Sequence, residues 1–255
     1  MEKHYRLEVS NHFTAISIRV NDIGLFDDHY NKTIDKKLGI NQYVNTGINE
    51  IDIKLWVPPD MEVLPKKLDC SIIIAEYTGS DAKFDKKILR KIDWSWNSEA
   101  VFPVQLKDSF TVEADFPFWT WREGEKISED FLDKSSLNLY IATLHKIMAD
   151  KDYLKLAPLL KIKTNELGAA LYVPESERFQ DEDEFFKDIF SDPLFAMRPV
   201  DWDGLVIRYH AENRLIEVVD RKGNPPIFTT PFRDDSAFGI ELYLARKNGE
   251  WILCR

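Results

Sequence analysis

Carboxylate and imidazole side chains near residues 201–210 have the types that general-base catalysis uses. Asp201 and Asp203 flank a tryptophan, and His210 ends the alternating segment that follows. Burial can move the pKa of such groups toward neutrality. The aspartates are also typical of a turn before a strand, and the histidine of a hydrogen-bonded rim residue. We predict no catalytic residue, and keep Asp201, Asp203 and His210 as candidates if the protein is an enzyme.

Two tryptophan pairs have the spacing of a binding platform. Trp94 and Trp96 are separated by one residue, as are Trp119 and Trp121, so extended backbone places both indoles of a pair on one side. Exposed indoles would stack on sugar rings or form a protein-binding hot spot, whereas buried ones would join two domains. These four tryptophans are the candidate binding residues.

No residue set indicates a metal or a cofactor. The acidic run 181–184 offers ligands for a hard cation but lacks the glycine turn of a dedicated loop, and a charged helix start describes it better. Cys70 and Cys254 lie too far apart for a zinc or redox motif, and we favour two buried free thiols over a disulfide. We predict no metal site and no cofactor.

Composition and charge exclude several classes of protein. The 255 residues are 44% hydrophobic and 31% charged, which indicates a globular chain. No apolar run approaches the roughly 18 residues of a membrane span. The formal net charge is −10 with scattered basic residues, so nucleic-acid binding is not predicted. Acidity suits a basic partner, or simply solubility.

The first half predicts a β-sandwich. Ile16, Ile18 and Val20 alternate with polar residues, and 48–57 repeats apolar residues at every second position. We predict a β-sandwich over 1–116, followed by a tryptophan-rich junction over 117–134.

After the junction the apolar period changes from 2 to 3.6. One helix carries Leu137 to Met148 and has Ser135 or Ser136 to cap it. Pro158 interrupts or delays a second helix, and a third is predicted to start after Asp181. Short strands follow and close with an Asn-Gly hairpin at 248–249. We predict an α+β domain over 135–255.

Each half resembles a known family at a few positions. The helix 137–148, the break 150–152 and the hairpin 247–251 resemble the NTF2-like, cystatin-related superfamily, which implies helices packed on a curved antiparallel sheet. That fold hosts enzymes, binders and oligomerisation modules, and its sheets commonly dimerise. Segments 19–24 and 44–51 resemble galactose-binding jelly-roll modules, which implies a jelly-roll-like topology for the sandwich over 1–116.

These features together predict a non-catalytic binding protein of bacterial type, with a protein partner in a toxin-neutralising or envelope accessory role. A small-molecule enzyme using a pocket in the NTF2-like cone and carbohydrate binding by the sandwich are the alternatives. A homodimer is a further option. The strand pattern at Tyr5–Val9 follows the first residue closely, which indicates a cytoplasmic protein, or a periplasmic one if a signal segment was removed.

Overall fold

The structure is a computed structural model that describes residues 2–29, 33–59, 61, 68–80, 83–96, 101–113, 116–117, 119–129, 132–232 and 236–254. Over these residues the protein has the predicted α+β fold, with antiparallel sheets and helices packed against a sheet. The chain divides into two compact units, Met1–Phe116 and Pro117–Arg255. We call them unit 1 and unit 2.

Unit 1 is an antiparallel β-sandwich. Its strands are β1 (Lys3–His12), β2 (Ala15–Val20), β3 (Ile23–Asp28), β4 (Thr33–Gly39), β5 (Gly47–Trp56), β6 (Asp69–Ser80), β7 (Lys83–Ser95) and β8 (Val104–Val112). One sheet has the order β4-β1-β6-β7 and the other β3-β2-β5-β8. Apolar side chains from both sheets share one core, so the sheets are the two layers of a sandwich.

The alternation predicted for β2 and β5 is confirmed. Ile16, Ile18 and Val20 are fully buried, and every second residue of β5 between 51 and 55 faces the same core. The residues between them therefore point to the outer face of the β3-β2-β5-β8 sheet.

The segments that resemble galactose-binding modules form turns held by asparagine side chains. Asn21 and Asp22 have positive φ angles and join β2 to β3. The Asn21 Nδ2 donates to Asn49 Oδ1 at 2.8 Å, and Asn49 Nδ2 donates to the Asn45 carbonyl at 2.7 Å. Asn49 is fully buried, so these hydrogen bonds satisfy polar groups that would otherwise be costly.

Unit 2 packs helices on a second antiparallel sheet. Its elements are α1 (Lys134–Ala149), α2 (Tyr153–Ala170), α3 (Glu175–Ser191), β9 (Val206–His210), β10 (Leu215–Val219), β11 (Ile227–Phe228), β12 (Gly239–Ile240), β13 (Leu242–Lys247) and β14 (Glu250–Leu253). The sheet order is β14-β13-β10-β9, and β11 pairs with β12. One apolar core joins the three helices to this sheet. Among the described residues, none of the helices has the length and apolar character needed to cross a bilayer.

The cap of α1 differs from the sequence prediction, whereas α2 begins near Asp152 as predicted. Asp133, not Ser135 or Ser136, caps α1, because its side chain accepts from the Ser136 N–H at 3.0 Å. Pro158 lies inside α2, which begins after Asp152. Pro158 is the sixth residue of α2 and has no N–H to donate to the Leu154 carbonyl, yet the helix continues through it.

α3 begins well before the predicted start at Asp181. Pro174 occupies its N-cap, and Glu175 and Glu177 supply the acidic first turn that the helix dipole favours. The acidic run 181–184 therefore lies in the middle of the helix, and its residues face different sides. Asp183 pairs with Lys187, whereas Glu182 faces inward.

Candidate functional site

The predicted general bases Asp201 and Asp203 lie in an exposed turn. Asp201 precedes the 3-10 turn Trp202–Gly204, and its Oδ1 accepts from the Gly204 N–H at 3.2 Å. Arg221 donates to the Asp203 carbonyl at 3.0 Å. Both carboxylates are exposed, and neither lines the main cavity of unit 2. The turn interpretation of this segment describes the structure.

His210 is buried on the face of the sheet that points away from the helices. Ile207 and Tyr209 pack on the helix-facing core, so alternation puts His210, 2% exposed, on the opposite face. Its Nε2 lies 3.2 Å from Glu217 Oε2, and the Tyr243 hydroxyl donates to Oε1 at 3.1 Å. His210 is thus part of a cross-strand network and lies outside the layer between helices and sheet.

Glu217 is the centre of that network. Burial raises the pKa of its carboxyl, but the hydrogen bond with His210 and the positive charge of Arg208 more than offset this effect. The net result is a pKa below the ordinary value. Such a carboxylate stays ionised at neutral pH and ties three strands together, which is a structural role.

The four candidate tryptophans are largely covered. Trp119 is 1% exposed and Trp121 is 5% exposed. Trp94 pairs in register with buried Cys70 and packs against the core of the sandwich, and Trp96 is half-buried just after β7. The Trp119 and Trp121 indoles are therefore buried, whereas Trp94 and Trp96 each keep part of their surface exposed. Cys70 and Cys254 are buried and free, as predicted.

A serine, a histidine and an aspartate come together in unit 1 without forming a catalytic triad. Ser10 Oγ lies 3.4 Å from His12 Nε2, and Asp69 Oδ1 lies 3.8 Å from the same nitrogen. In triads the serine and the carboxylate contact different ring nitrogens. Here both approach Nε2, so the arrangement does not activate the serine.

The strongest candidate site is a cavity of about 440 Å³ in unit 2, between α2, α3 and the β12 region. Its apolar wall includes three phenylalanine rings, and its polar groups include three carboxylates, two basic side chains and a hydroxyl. These lining residues are Phe185, Phe186, Phe238, Asp181, Glu182, Glu241, Lys163, Arg178 and Thr164. Sequence reasoning did not identify this site.

The three phenylalanines contact one another as well as the cavity. The ring centroids of Phe185 and Phe186 are 5.3 Å apart, and Phe238 lies 5.3 Å from Phe185 and 6.1 Å from Phe186. Phe186 is buried, whereas Phe185 is 43% exposed and reaches the mouth. The cavity therefore has an aromatic wall that continues to its rim.

Glu182 is the most perturbed carboxylate at this cavity. Burial raises its pKa, and the hydroxyl hydrogen bonds from Thr164 and Tyr153 lower it without cancelling the effect. The Tyr153 hydroxyl has its own pKa raised to about 12 by burial and by the neighbouring acidic charges. A positive charge placed in the cavity would therefore stabilise the ionised form of Glu182.

Arg178 fixes another part of the wall. Its Nε donates to the Val173 carbonyl at 2.6 Å and its Nη1 to the Asn165 carbonyl at 3.3 Å, which holds α3 against the end of α2. A Cβ on Gly168 would overlap this side chain. The glycine therefore lets the arginine lie flat across α2.

The sequence did contain a signal for this site. Glu182 precedes Phe185, Phe186 and Ile189 by three, four and seven positions, so it belongs to the apolar stripe of the helix. A carboxylate in an apolar stripe indicates a buried polar group. The misplaced helix start concealed it.

Among the residues that the structure describes, no three histidine, cysteine, aspartate or glutamate side chains converge to hold a metal ion. Comparison with protein-family models, with curated proteins and with solved structures finds no match for this chain.

Proposed function

We propose that this protein is a non-catalytic binding protein and that the unit 2 cavity receives a cationic side chain of a basic protein partner. The observation that carries the proposal is the combination of three phenylalanine rings and three carboxylates in one cavity. Aromatic faces and a carboxylate both attract a lysine or arginine head group, and the attraction grows when water is excluded.

The surroundings of the cavity favour a protein over a free amine. Helix α3 carries seven acidic and two basic side chains, and many of the acidic ones are exposed. Leu171 is exposed near the end of α2, and Phe185 is exposed on α3. An apolar anchor surrounded by charge is the usual anatomy of a protein interface. The net charge of −10 would steer a basic partner toward it.

The toxin-neutralising and envelope accessory roles are two settings for such a partner, and the resemblance to NTF2-like domains suits a binding module. A homodimer through the open face of the sheet is the alternative that the NTF2-like resemblance implies. The α3 face does not suit a homodimer, because two copies would bring like charges together.

The test is binding of a fluorescent lysine-glycine peptide, compared with a glutamate-glycine peptide of equal length. We expect only the basic peptide to bind. Glu182→Gln and Phe185→Ala should each weaken it about tenfold, which is the loss of one charged or cation–π contact.

Glu177→Gln is the matched control, because Glu177 is exposed on the same helix but does not line the cavity. It should leave affinity nearly unchanged. Equal weakening by all three variants would mean that the peptide senses only the acidic surface, and the cavity proposal would be wrong.

A second candidate is a small-molecule enzyme in the same cavity. The raised pKa of Glu182 beside apolar walls favours it, because a general base works best with a pKa near the operating pH. The test is time-dependent consumption of a compound from a metabolite mixture, followed by mass spectrometry. Turnover that Glu182→Gln abolishes and Glu177→Gln retains would replace the binding proposal.

A further inference from the structure

The outer face of the β3-β2-β5-β8 sheet in unit 1 carries a cleft of about 480 Å³ that is unrelated to the unit 2 cavity. Its lining combines one indole, one imidazole, one proline ring and three small or charged polar side chains. They are Trp56, His29, Pro103, Ser17, Asp27 and Lys54.

Strand register builds the first row of this cleft. Ser17 on β2 pairs with Asp27 on β3 and with Lys54 on β5. Residues directly opposite each other share a face, and Ile16 and Ile18 point into the core, so this row points outward. A carboxylate, a hydroxyl and an ammonium group therefore lie side by side.

The second row supplies the rings. Trp56 pairs with Ala15, two residues from Ser17, and His29 follows Asp27 by two residues on the same face. The rings of His29 and Trp56 are 5.1 Å apart between centroids, with planes at 52°. Ala15 lies on the same face and is fully buried.

The side-chain polar groups of the first row differ from those of the next row in their hydrogen bonds and ion pairs. One row further along the strands, Asp52 accepts from Gln105 at 2.7 Å and pairs with Lys107 at 3.4 Å. Over the part of the chain that the structure describes, the side chains of Ser17, Asp27 and Lys54 make no hydrogen bond or ion pair. Their hydrogen-bonding capacity faces the cleft.

We propose that this cleft binds a neutral pyranose, such as the terminal sugar of a glycan. The apolar C–H face of the sugar would pack on the Trp56 indole, and adjacent hydroxyl groups would donate to Asp27 and accept from Lys54 and Ser17. A few convergent polar groups beside an aromatic surface are typical of such small-molecule sites. The opposite charges of Asp27 and Lys54 balance, which favours a neutral ligand over a phosphate or an amine.

The proposal is independent of the proposed function, since it concerns another unit and another ligand class. It also moves the carbohydrate site predicted at Trp94 and Trp96 to a tryptophan that the sequence analysis did not single out. The proposed site depends on the placement of the Lys54 ammonium and the Asp27 carboxylate beside the Trp56 indole.

The test is an NMR titration with the methyl pyranosides of glucose, galactose, mannose and N-acetylglucosamine, observing indole N–H signals. Trp56→Phe identifies the Trp56 signal by its loss. We expect at least one sugar to shift that signal saturably. Asp27→Asn and Lys54→Met should weaken binding about tenfold each, one charged hydrogen bond apiece.

Two variants outside the cleft are the controls. Trp94→Phe and Lys107→Met should bind the same sugar as the unchanged protein. If no methyl pyranoside shifts the Trp56 signal, or if Asp27→Asn and Lys54→Met bind as well as the unchanged protein, the proposal is wrong. Inorganic phosphate shifting the signal without a sugar response would make this an anion site and would equally overturn it.

Discussion

The cavity of unit 2 and the cleft of unit 1 are built from different elements. Two helices and the β12 region line the cavity, and burial raises the pKa of Glu182 there. The cleft lies on the outer face of a sheet, where Asp27 and Lys54 remain exposed beside Trp56. We therefore expect different ligands: a cationic side chain beside the partly buried carboxylate of the cavity, and a sugar that stacks on the indole of the cleft.

The largest expected difference between the two regions is the cost of removing a ring. Phe186 is 4% exposed and contacts Tyr153, Phe190 and Phe238. Phe186→Ala should lower the free energy of unfolding by about 3–5 kcal/mol. Trp56→Ala removes a half-buried ring from a face and should cost about 1–2 kcal/mol. Denaturant unfolding measures both, and equal losses would contradict the contrast between the buried ring at the cavity and the half-buried ring at the cleft.

Gly168→Ala should have the next largest effect. The new Cβ would displace Arg178 and break its hydrogen bonds to the Val173 and Asn165 carbonyls, which costs about 1–3 kcal/mol even after the gain in helix propensity. In unit 1, Gly39→Ala meets no atom within 4 Å and should change stability by less than about 0.5 kcal/mol. Thermal or urea unfolding of both variants checks this. An unfolding free energy that Gly168→Ala leaves unchanged would mean that Arg178 can move aside without losing stability.

Glu217→Gln should destabilise unit 2 by about 1 kcal/mol at neutral pH, because the amide is a poorer partner for Arg208 and His210. The pKa of Glu217 is lowered in the folded protein, so its stabilising effect is present above the unfolded pKa and is lost as pH falls through the folded one. The variant and the unchanged protein should therefore converge in acid. Glu250→Gln, on an exposed glutamate of β14, is the control, and a gap that persists in acid would contradict the network.

Glu182→Gln should give the smallest change, with the opposite pH dependence. Since the folded pKa of Glu182 is raised, the carboxyl favours folding below its unfolded pKa, and this contribution disappears as pH rises through the folded pKa. The unfolding free energy of Glu182→Gln should thus gain relative to the unchanged protein between acid and neutral pH. Glu177→Gln should show no such trend. If both variants show the same trend, the trend does not come from the raised pKa of Glu182.

Local patterns in the sequence predicted the strands better than the sites. Period-2 alternation in β2 and β5 gave their core faces, because one buried face sets the register of a strand. Helix starts were less predictable. Pro174 and Asp133 occupy the N-caps of α3 and α1, but nearby residues in the sequence also have the types that are typical of N-caps.

The candidate sites depend on contacts between distant residues, and only part of each could be foreseen. Trp56 alternates with the buried positions of β5, as Asp52 and Lys54 do, so its place on the outer face could be inferred from the sequence. Its partner His29 comes from another strand, and the pairing requires the register. Likewise, the burial of Glu182 could be inferred from its place in an apolar helix stripe. The contribution of Phe238 could not, because this residue lies far along the chain.

NMR titration with butylammonium tests most directly whether the unit 2 cavity recognises a positive charge, as we propose. The matched neutral ligand is 1-butanol, which has the same carbon chain. We predict that butylammonium shifts the backbone signals of 182–186 and 238–241 saturably, that 1-butanol does so far more weakly, and that Glu182→Gln removes the difference. Equal shifts from both ligands, or none from butylammonium, would contradict the account.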